Sequence, residues 1–156
     1  MDFYQQNAAM NATNTGLANT SPPGPRRILI IDDNPDAAEM LASILELHGQ
    51  RCMTAHGGQD GLAAVAQFKP EIILLDIGMP VINGYQVAAS LRANREIEQP
   101  FIIAFTAWND QTTILRARQA GFDLHITKTA PIPCLMGAIA SATYPSPTPR
   151  DFRQLA

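Results

Sequence analysis

A single α/β domain on a doubly wound, five-stranded parallel sheet in the order 2-1-3-4-5 is the fold this sequence predicts. Three observations lead to it. Short apolar runs alternate with longer amphipathic stretches through the middle of the chain, the pattern of βα units whose sheet is covered on both faces. The runs are short and apolar, as strands buried on both sides should be. The chain has 156 residues with 46% hydrophobic content, enough for one ordinary core and too little for two.

The nominated strands are Ile28 to Ile31, Cys52 to Ala55, Ile72 to Leu75, Phe101 to Phe105 and the weaker Leu124 to Ile126. The first helix has Asn34 as N-cap and Pro35 in its first turn, then Ala37, Leu41, Ile44, Leu45 and His48 at helical spacing before Gly49 stops it. His48 reads as a helix-end residue, not a ligand. Further helices fit Gly58 to Phe68, Gly84 to Ala93, Asp110 to Ala120 with Gly121 as breaker, and Ile132 to Ala142. The sum is (βα)5, and right-handed crossovers then open the ligand site at the carboxyl ends of strands 1 and 3.

The expected domain spans residues 26–142. Residues 1–25, rich in Asn, Thr, Ala and Gln and ending in Ser21-Pro22-Pro23-Gly24-Pro25, read as a disordered arm. Residues 143–156, where Pro145, Pro147 and Pro149 alternate with small or polar residues, read as a flexible tail.

Net charge of -3 and a pI near 5.5 leave no broad basic surface for a nucleic-acid backbone, so no nucleic-acid partner is expected. No apolar run is long enough to span a bilayer, and no Lys or Arg precedes Arg26 to start a signal peptide. A cytoplasmic protein without a membrane partner is the expectation. Cys52 and Cys134 match no metal or redox spacing and read as small core residues.

The strand ends carry the chemistry. Strand 1 ends in Asp32-Asp33, strand 3 in Asp76, strand 4 in Thr106 and strand 5 in Lys128. Singly, each has a plain structural role: a carboxylate after a strand often caps a helix, a threonine a turn, and a lysine is often a solvated charge. Jointly they surround the switch point. Three carboxylates close together repel unless a cation joins them, and all-oxygen ligands suit a hard ion such as Mg2+. Asp76 then becomes a nucleophile toward a phosphoryl group, with Mg2+, the Lys128 ammonium and the Thr106 hydroxyl each serving one oxygen.

The segments Ile28-Leu29-Ile30-Ile31-Asp32-Asp33-Asn34, Ile73 through Asp76-Ile77-Gly78-Met79-Pro80 to Tyr85, Phe105-Thr106-Ala107 and Thr127-Lys128 resemble the receiver domains of two-component response regulators, which have a flavodoxin-like fold. The resemblance covers the middle domain in the expected order. It implies that Asp76 is the phospho-acceptor, that Asp33 binds Mg2+ directly and Asp32 through water, and that the Gly78 carbonyl is a further ligand. It also implies that Thr106 and Lys128 bind phosphoryl oxygens. His125 stands where the family often has a Tyr or Phe that turns inward when the threonine moves; the alternative is a strand residue with its ring partly exposed.

Two departures stand out. Family members usually follow the lysine with proline, often through a cis bond, whereas Lys128 precedes Thr129 and the next proline is Pro131. A cis bond there would cost about 3–4 kcal/mol, so a trans bond or strain is expected. Asn83 stands where Asp is frequent, in a turn that Asn suits.

The resulting expectation is a stand-alone receiver that takes phosphate from a sensor histidine kinase or a histidine phosphotransfer protein and signals to a downstream protein by direct contact. It would catalyse nothing beyond its own phosphorylation and dephosphorylation. A haloacid-dehalogenase-like phosphatase would need a second Asp two residues after the nucleophile, where this chain has Gly78. A degenerate receiver that binds proteins without phosphate is the alternative, supported by the missing Lys-Pro pair.

Overall fold

The computed structural model describes residues 24–146 and the backbone of residues 153–155. The expected N-terminal arm, apart from its last two residues, and residues 147–152 of the expected tail lie outside the described residues.

Five βα units follow in order: β1 (Arg27–Ile31), α1 (Pro35–Leu47), β2 (Arg51–Ala55), α2 (Gly58–Phe68), β3 (Ile72–Leu75), α3 (Gly84–Ala93), β4 (Phe101–Thr106), α4 (Gln111–Ala120), β5 (Leu124–Thr127) and α5 (Ile132–Ser141). A short β6 (Arg153–Leu155) comes last. All strands pair in parallel, in the order β2-β1-β3-β4-β5-β6. The order 2-1-3-4-5 is as expected, and β6 adds a sixth strand on the far side of β5.

Alternate residues along each strand feed two separate cores, because successive side chains leave a sheet on opposite faces. Ile28, Ile30, Ile72 and Leu74 pack under α1 and α5 with Leu45 and Ile139. Leu29, Ile31, Ile73 and Leu75 pack under α2, α3 and α4 with Val65, Val87 and Ala117. Burying one such Leu or Ile contributes about 1.5–3 kcal/mol, so both faces of β1 and β3 are anchored. Those two strands carry the site.

Local capping sets where the helices begin. Asn34 accepts the Ala37 amide at 3.2 Å and Pro35 starts α1. Asn83 and Gln86 form a reciprocal capping box on α3, a local signal that Asn83-x-x-Gln86 carries in sequence. Asp110, expected as the first residue of α4, is its cap, accepting from Thr113. Burial, with Glu46 nearby, pushes the Cys52 thiol up to about 12, which keeps it a thiol. Among the described residues, no helix is long and apolar enough to cross a membrane.

At the amino ends of β4 and β5 lies a polar knot that sequence reading did not find. Arg92 on α3 donates to Asp123 at 2.7 Å, to Gly121 O at 2.8 Å and to Pro100 O at 2.9 Å. Asp123 also receives the Ile102 amide at 2.8 Å and the Ser146 hydroxyl at 2.9 Å. Ser146 is buried and donates its amide to Gln99 O at 2.8 Å, while Tyr144 donates to Glu98 at 2.7 Å. The expected flexible tail from residue 143 therefore begins with docked residues, and Arg153–Leu155 pair with β5. Proline-rich composition hid this, because the anchors are the serine and tyrosine between the prolines.

Asp123→Ala would leave the half-buried Arg92 without its carboxylate partner and is expected to cost about 3 kcal/mol, read as a lower urea midpoint at unchanged slope. A loss below about 1 kcal/mol would show that the knot contributes little.

Candidate functional site

The carboxyl ends of β1, β3, β4 and β5 converge as the topology requires, and backbone bonds hold them in register. Asp32 N donates to Ala55 O at 3.1 Å, Asp76 N to Ile31 O at 2.9 Å, and Lys128 N to Thr106 O at 2.9 Å. Each candidate residue thus stands one step beyond a paired strand. Gly84 lets the start of α3 close on this end of the sheet, since a Cβ there would collide with the Asp76 carbonyl oxygen.

Asp32, Asp33 and Asp76 each offer a carboxylate oxygen, and these atoms lie within 4.8 Å of one another. Asp32 and Asp76 are largely buried, at 6% and 9% exposure, whereas Asp33 is exposed. Two unit charges about 4 Å apart repel by about 4 kcal/mol at an effective dielectric of about 20, so the cluster requires neutralisation. Lys128 supplies part of it. Its ammonium donates to Asp32 Oδ2 at 2.7 Å and to Asp76 Oδ2 at 3.3 Å. Burial pulls the ammonium toward neutrality, but the bond to Asp32 and the charges of Asp76 and Asp32 outweigh it and raise its pKa above the ordinary lysine value. With the folded value raised, the pairing stabilises the fold at neutral pH and is lost only as pH rises through that value.

Asp32 Oδ1 is occupied by the Asn34 amide at 3.0 Å, so Asp32 both turns the chain into α1 and faces the cluster. The fit to a divalent cation is good: three carboxylates, all hard oxygen donors, carry more charge than one ammonium offsets. Asp33, Asp76 and the backbone carbonyl of Gly78 are the candidate direct ligands.

Lys128 reaches this position without a following proline. Among the described residues the single cis bond is Tyr144–Pro145, so Lys128–Thr129 is trans. The missing Lys-Pro pair therefore does not keep the ammonium from Asp32 and Asp76.

The remaining candidates line the rim. Thr106 is buried at the end of β4, and its hydroxyl receives the Trp108 amide at a weak 3.4 Å without bonding the carboxylates. Gly78 is exposed two residues beyond Asp76, and the Trp108 indole lies against it: a Cβ on Gly78 would stand 3.1 Å from the ring. His125 is fully buried, which corrects the alternative of a partly exposed strand residue. Its Nε2 lies 2.8 Å from the Trp108 carbonyl oxygen, and its Nδ1 is buried without a partner. Position 125 pairs with Ala104 in the interior of the sheet, under α4, which the shortness of β5 concealed.

Val81 was not anticipated at all. It adopts φ 66 in the loop after Asp76 and is 98% exposed. A β-branched residue in the left-handed region stores strain of about 1–3 kcal/mol, and such strain gathers at functional loops.

Comparison with known proteins bears on the fold and the family. The model of the response regulator receiver domain matches residues 28–140. Protein PilH of Pseudomonas aeruginosa is 35% identical over 102 residues, 65% of this chain and 84% of PilH. Protein PilG of the same organism is 32% identical over 125 residues, 80% of this chain and 92% of PilG. The structure of the chemotaxis protein CheY4 of Vibrio cholerae superposes with a TM-score of 0.71 at 19% identity, covering 77% of this chain and all of that one, a likeness of fold.

Because Trp108 is the only tryptophan and its ring touches Gly78, its emission is expected to change on titration with Mg2+. Asp33→Asn is expected to weaken that response at least tenfold in Mg2+ concentration, about 1.4 kcal/mol. An equal response in the variant would show that Asp33 holds no ion.

Proposed function

The chain belongs to the response-regulator receiver family, and from that membership we propose that it is a phospho-accepting signalling protein whose acceptor is Asp76. The observation that carries the proposal is the Lys128 ammonium joined to both Asp32 and Asp76 at the strand ends. A phosphoryl group brings further negative charge into this cluster, and a fixed cation already stands where it would arrive.

In this reading, one Asp76 oxygen attacks phosphorus in line, and the bond from phosphorus to the donor's imidazole nitrogen breaks with its electron pair remaining on that nitrogen. Little covalent chemistry is asked of the protein, so positioning and charge stabilisation dominate. Asp33, Asp76 and the Gly78 carbonyl would hold Mg2+ directly and Asp32 through water; when bound, the ion neutralises charge on the transferring oxygens. Lys128 binds a second oxygen. Thr106 leaves its weak contact with Trp108 and donates its hydroxyl to a third. His125 shares the sheet face of Thr106 and is the partner residue of that movement.

The donor is a sensor histidine kinase or a histidine phosphotransfer protein, and the phosphorylated surface signals to a downstream protein. The chain's own chemistry is limited to gaining and losing that phosphate, and the cytoplasm is where such donors are met.

Incubation with a small acyl-phosphate donor and Mg2+ is expected to add one phosphate by intact mass, and Asp76→Ala is expected to add none. Labelling of Asp76→Ala at the wild-type rate, or indifference to Mg2+, would overturn the proposal.

Self-dephosphorylation is expected to be slow, because hydrolysis needs a water held in line and neither glycine at 78 nor an indole at 108 holds one. Gly78→Asn combined with Trp108→Glu is expected to shorten the phosphate lifetime several-fold. Both changes are needed, since a side chain at 78 meets the ring at 108. An unchanged decay in a variant that labels normally would exclude these positions from control of the attacking water.

A further inference from the structure

His125 makes a bond that its burial does not require. The ring is 0% exposed on β5, level with Ala104 and diagonal to Thr106 on the same face of the sheet. A carbonyl oxygen only accepts, so the nitrogen 2.8 Å from the Trp108 carbonyl, Nε2, carries the proton. Nδ1 is left buried and unpartnered. Phenylalanine would fill this space without stranding a nitrogen, and an unpaired buried polar atom is costly. What histidine adds is the bond to residue 108.

That bond is the firm tie of the loop between β4 and α4 at this point. The other polar contact of the Trp108 backbone, its amide to Thr106 Oγ1, is 3.4 Å long. Beyond the backbone, the indole crosses to the neighbouring loop and rests on Gly78, where the missing Cβ makes room for it. A large aromatic ring stays 51% exposed in this place, although nothing in its apolar character favours an open position. The ring thus bridges the loops that lie two residues beyond Asp76 and two beyond Thr106.

We infer that His125 is a positioning residue: through the Trp108 carbonyl it holds the indole across Gly78, and so sets how freely water and small phosphodonors reach Asp76. This rests on the reading of Asp76 as the phospho-acceptor. When Thr106 moves toward a phosphoryl oxygen, the contact it gives up is with the residue that His125 holds, so the latch and the site share one loop.

The test uses the full chain and its single tryptophan. His125→Phe keeps the ring and removes the donor. Acrylamide quenching of Trp108 is expected to rise at least twofold in this variant without any phosphodonor present, and phosphate loss after labelling with a small acyl phosphate to quicken at least threefold. His125→Gln, whose amide nitrogen can reach the same carbonyl, is expected to keep both values within twofold of wild type. Trp108→Ala and the double variant His125→Phe with Trp108→Ala are expected to lose phosphate at the same rate, because the histidine acts only through the ring. Unchanged quenching in a folded His125→Phe protein would overturn the inference. So would an acceleration by His125→Phe that persists in the Trp108→Ala background, which is what a merely structural role produces. Should His125→Phe fail to fold, His125→Asn, too short to reach the carbonyl, takes its place with the same expected values. If wild type takes no label, the acceptor reading falls, while the quenching comparison still decides whether His125 holds the ring.

Discussion

The ammonium of Lys128 between Asp32 and Asp76 is the contact on which the rest of the site depends. Three carboxylates with oxygens inside 4.8 Å of one another would drive the ends of β1 and β3 apart if nothing offset them. The single lysine that follows β5 offsets part of that repulsion and leaves the remainder as an attraction for a hard cation. The same imbalance makes the site ready for chemistry. In the proposed reaction an arriving phosphoryl group would meet a fixed positive charge, and the opposing carboxylates would hold a metal. Here the balance is reached with a trans bond between Lys128 and Thr129.

The fold holds the four strand ends still from both sides. Each face of β1 and β3 packs into a different core, so neither strand can shift without disturbing both helical layers. At the opposite end of β4 and β5, Arg92 and Asp123 tie α3, the strand starts and Ser146 together. The site end carries the strain and the exposed loops, with Val81 left-handed in the loop after Asp76 and Trp108 half-exposed beside it. Rigidity at one end and exposed loops at the other suit the proposed movement of Thr106 within an intact sheet.

Asp32, Asp33 and Asp76 were legible in sequence because they close continuously apolar runs, and Lys128 because it ends the weaker fifth strand; a parallel sheet gathers such positions at one edge. Strand ends need only one-dimensional information. Asn83-x-x-Gln86 held a capping signal as local as any other, passed over in favour of a turn. What escaped was three-dimensional pairing. Arg92 and Asp123 are 31 residues apart, and nothing in either neighbourhood announces the other. The pairing of Arg153–Leu155 with β5 was masked by the prolines before it, since composition describes a segment and not the open strand edge it meets. For His125 two readings stayed open, an inward-turning residue and a partly exposed one, because a four-residue strand gives too short a pattern to show that both of its faces are covered.

Asp76 shares Lys128 with Asp32 and lies in one carboxylate cluster with Asp32 and Asp33. Borohydride reduction of the phosphorylated chain, followed by peptide mapping, tests the proposed role of Asp76 most directly, because it converts an aspartyl phosphate into homoserine and marks the residue that carried it. The account requires homoserine at position 76 and unchanged aspartate at 32 and 33. Homoserine at either of those positions, or a phosphate that resists reduction, would contradict it.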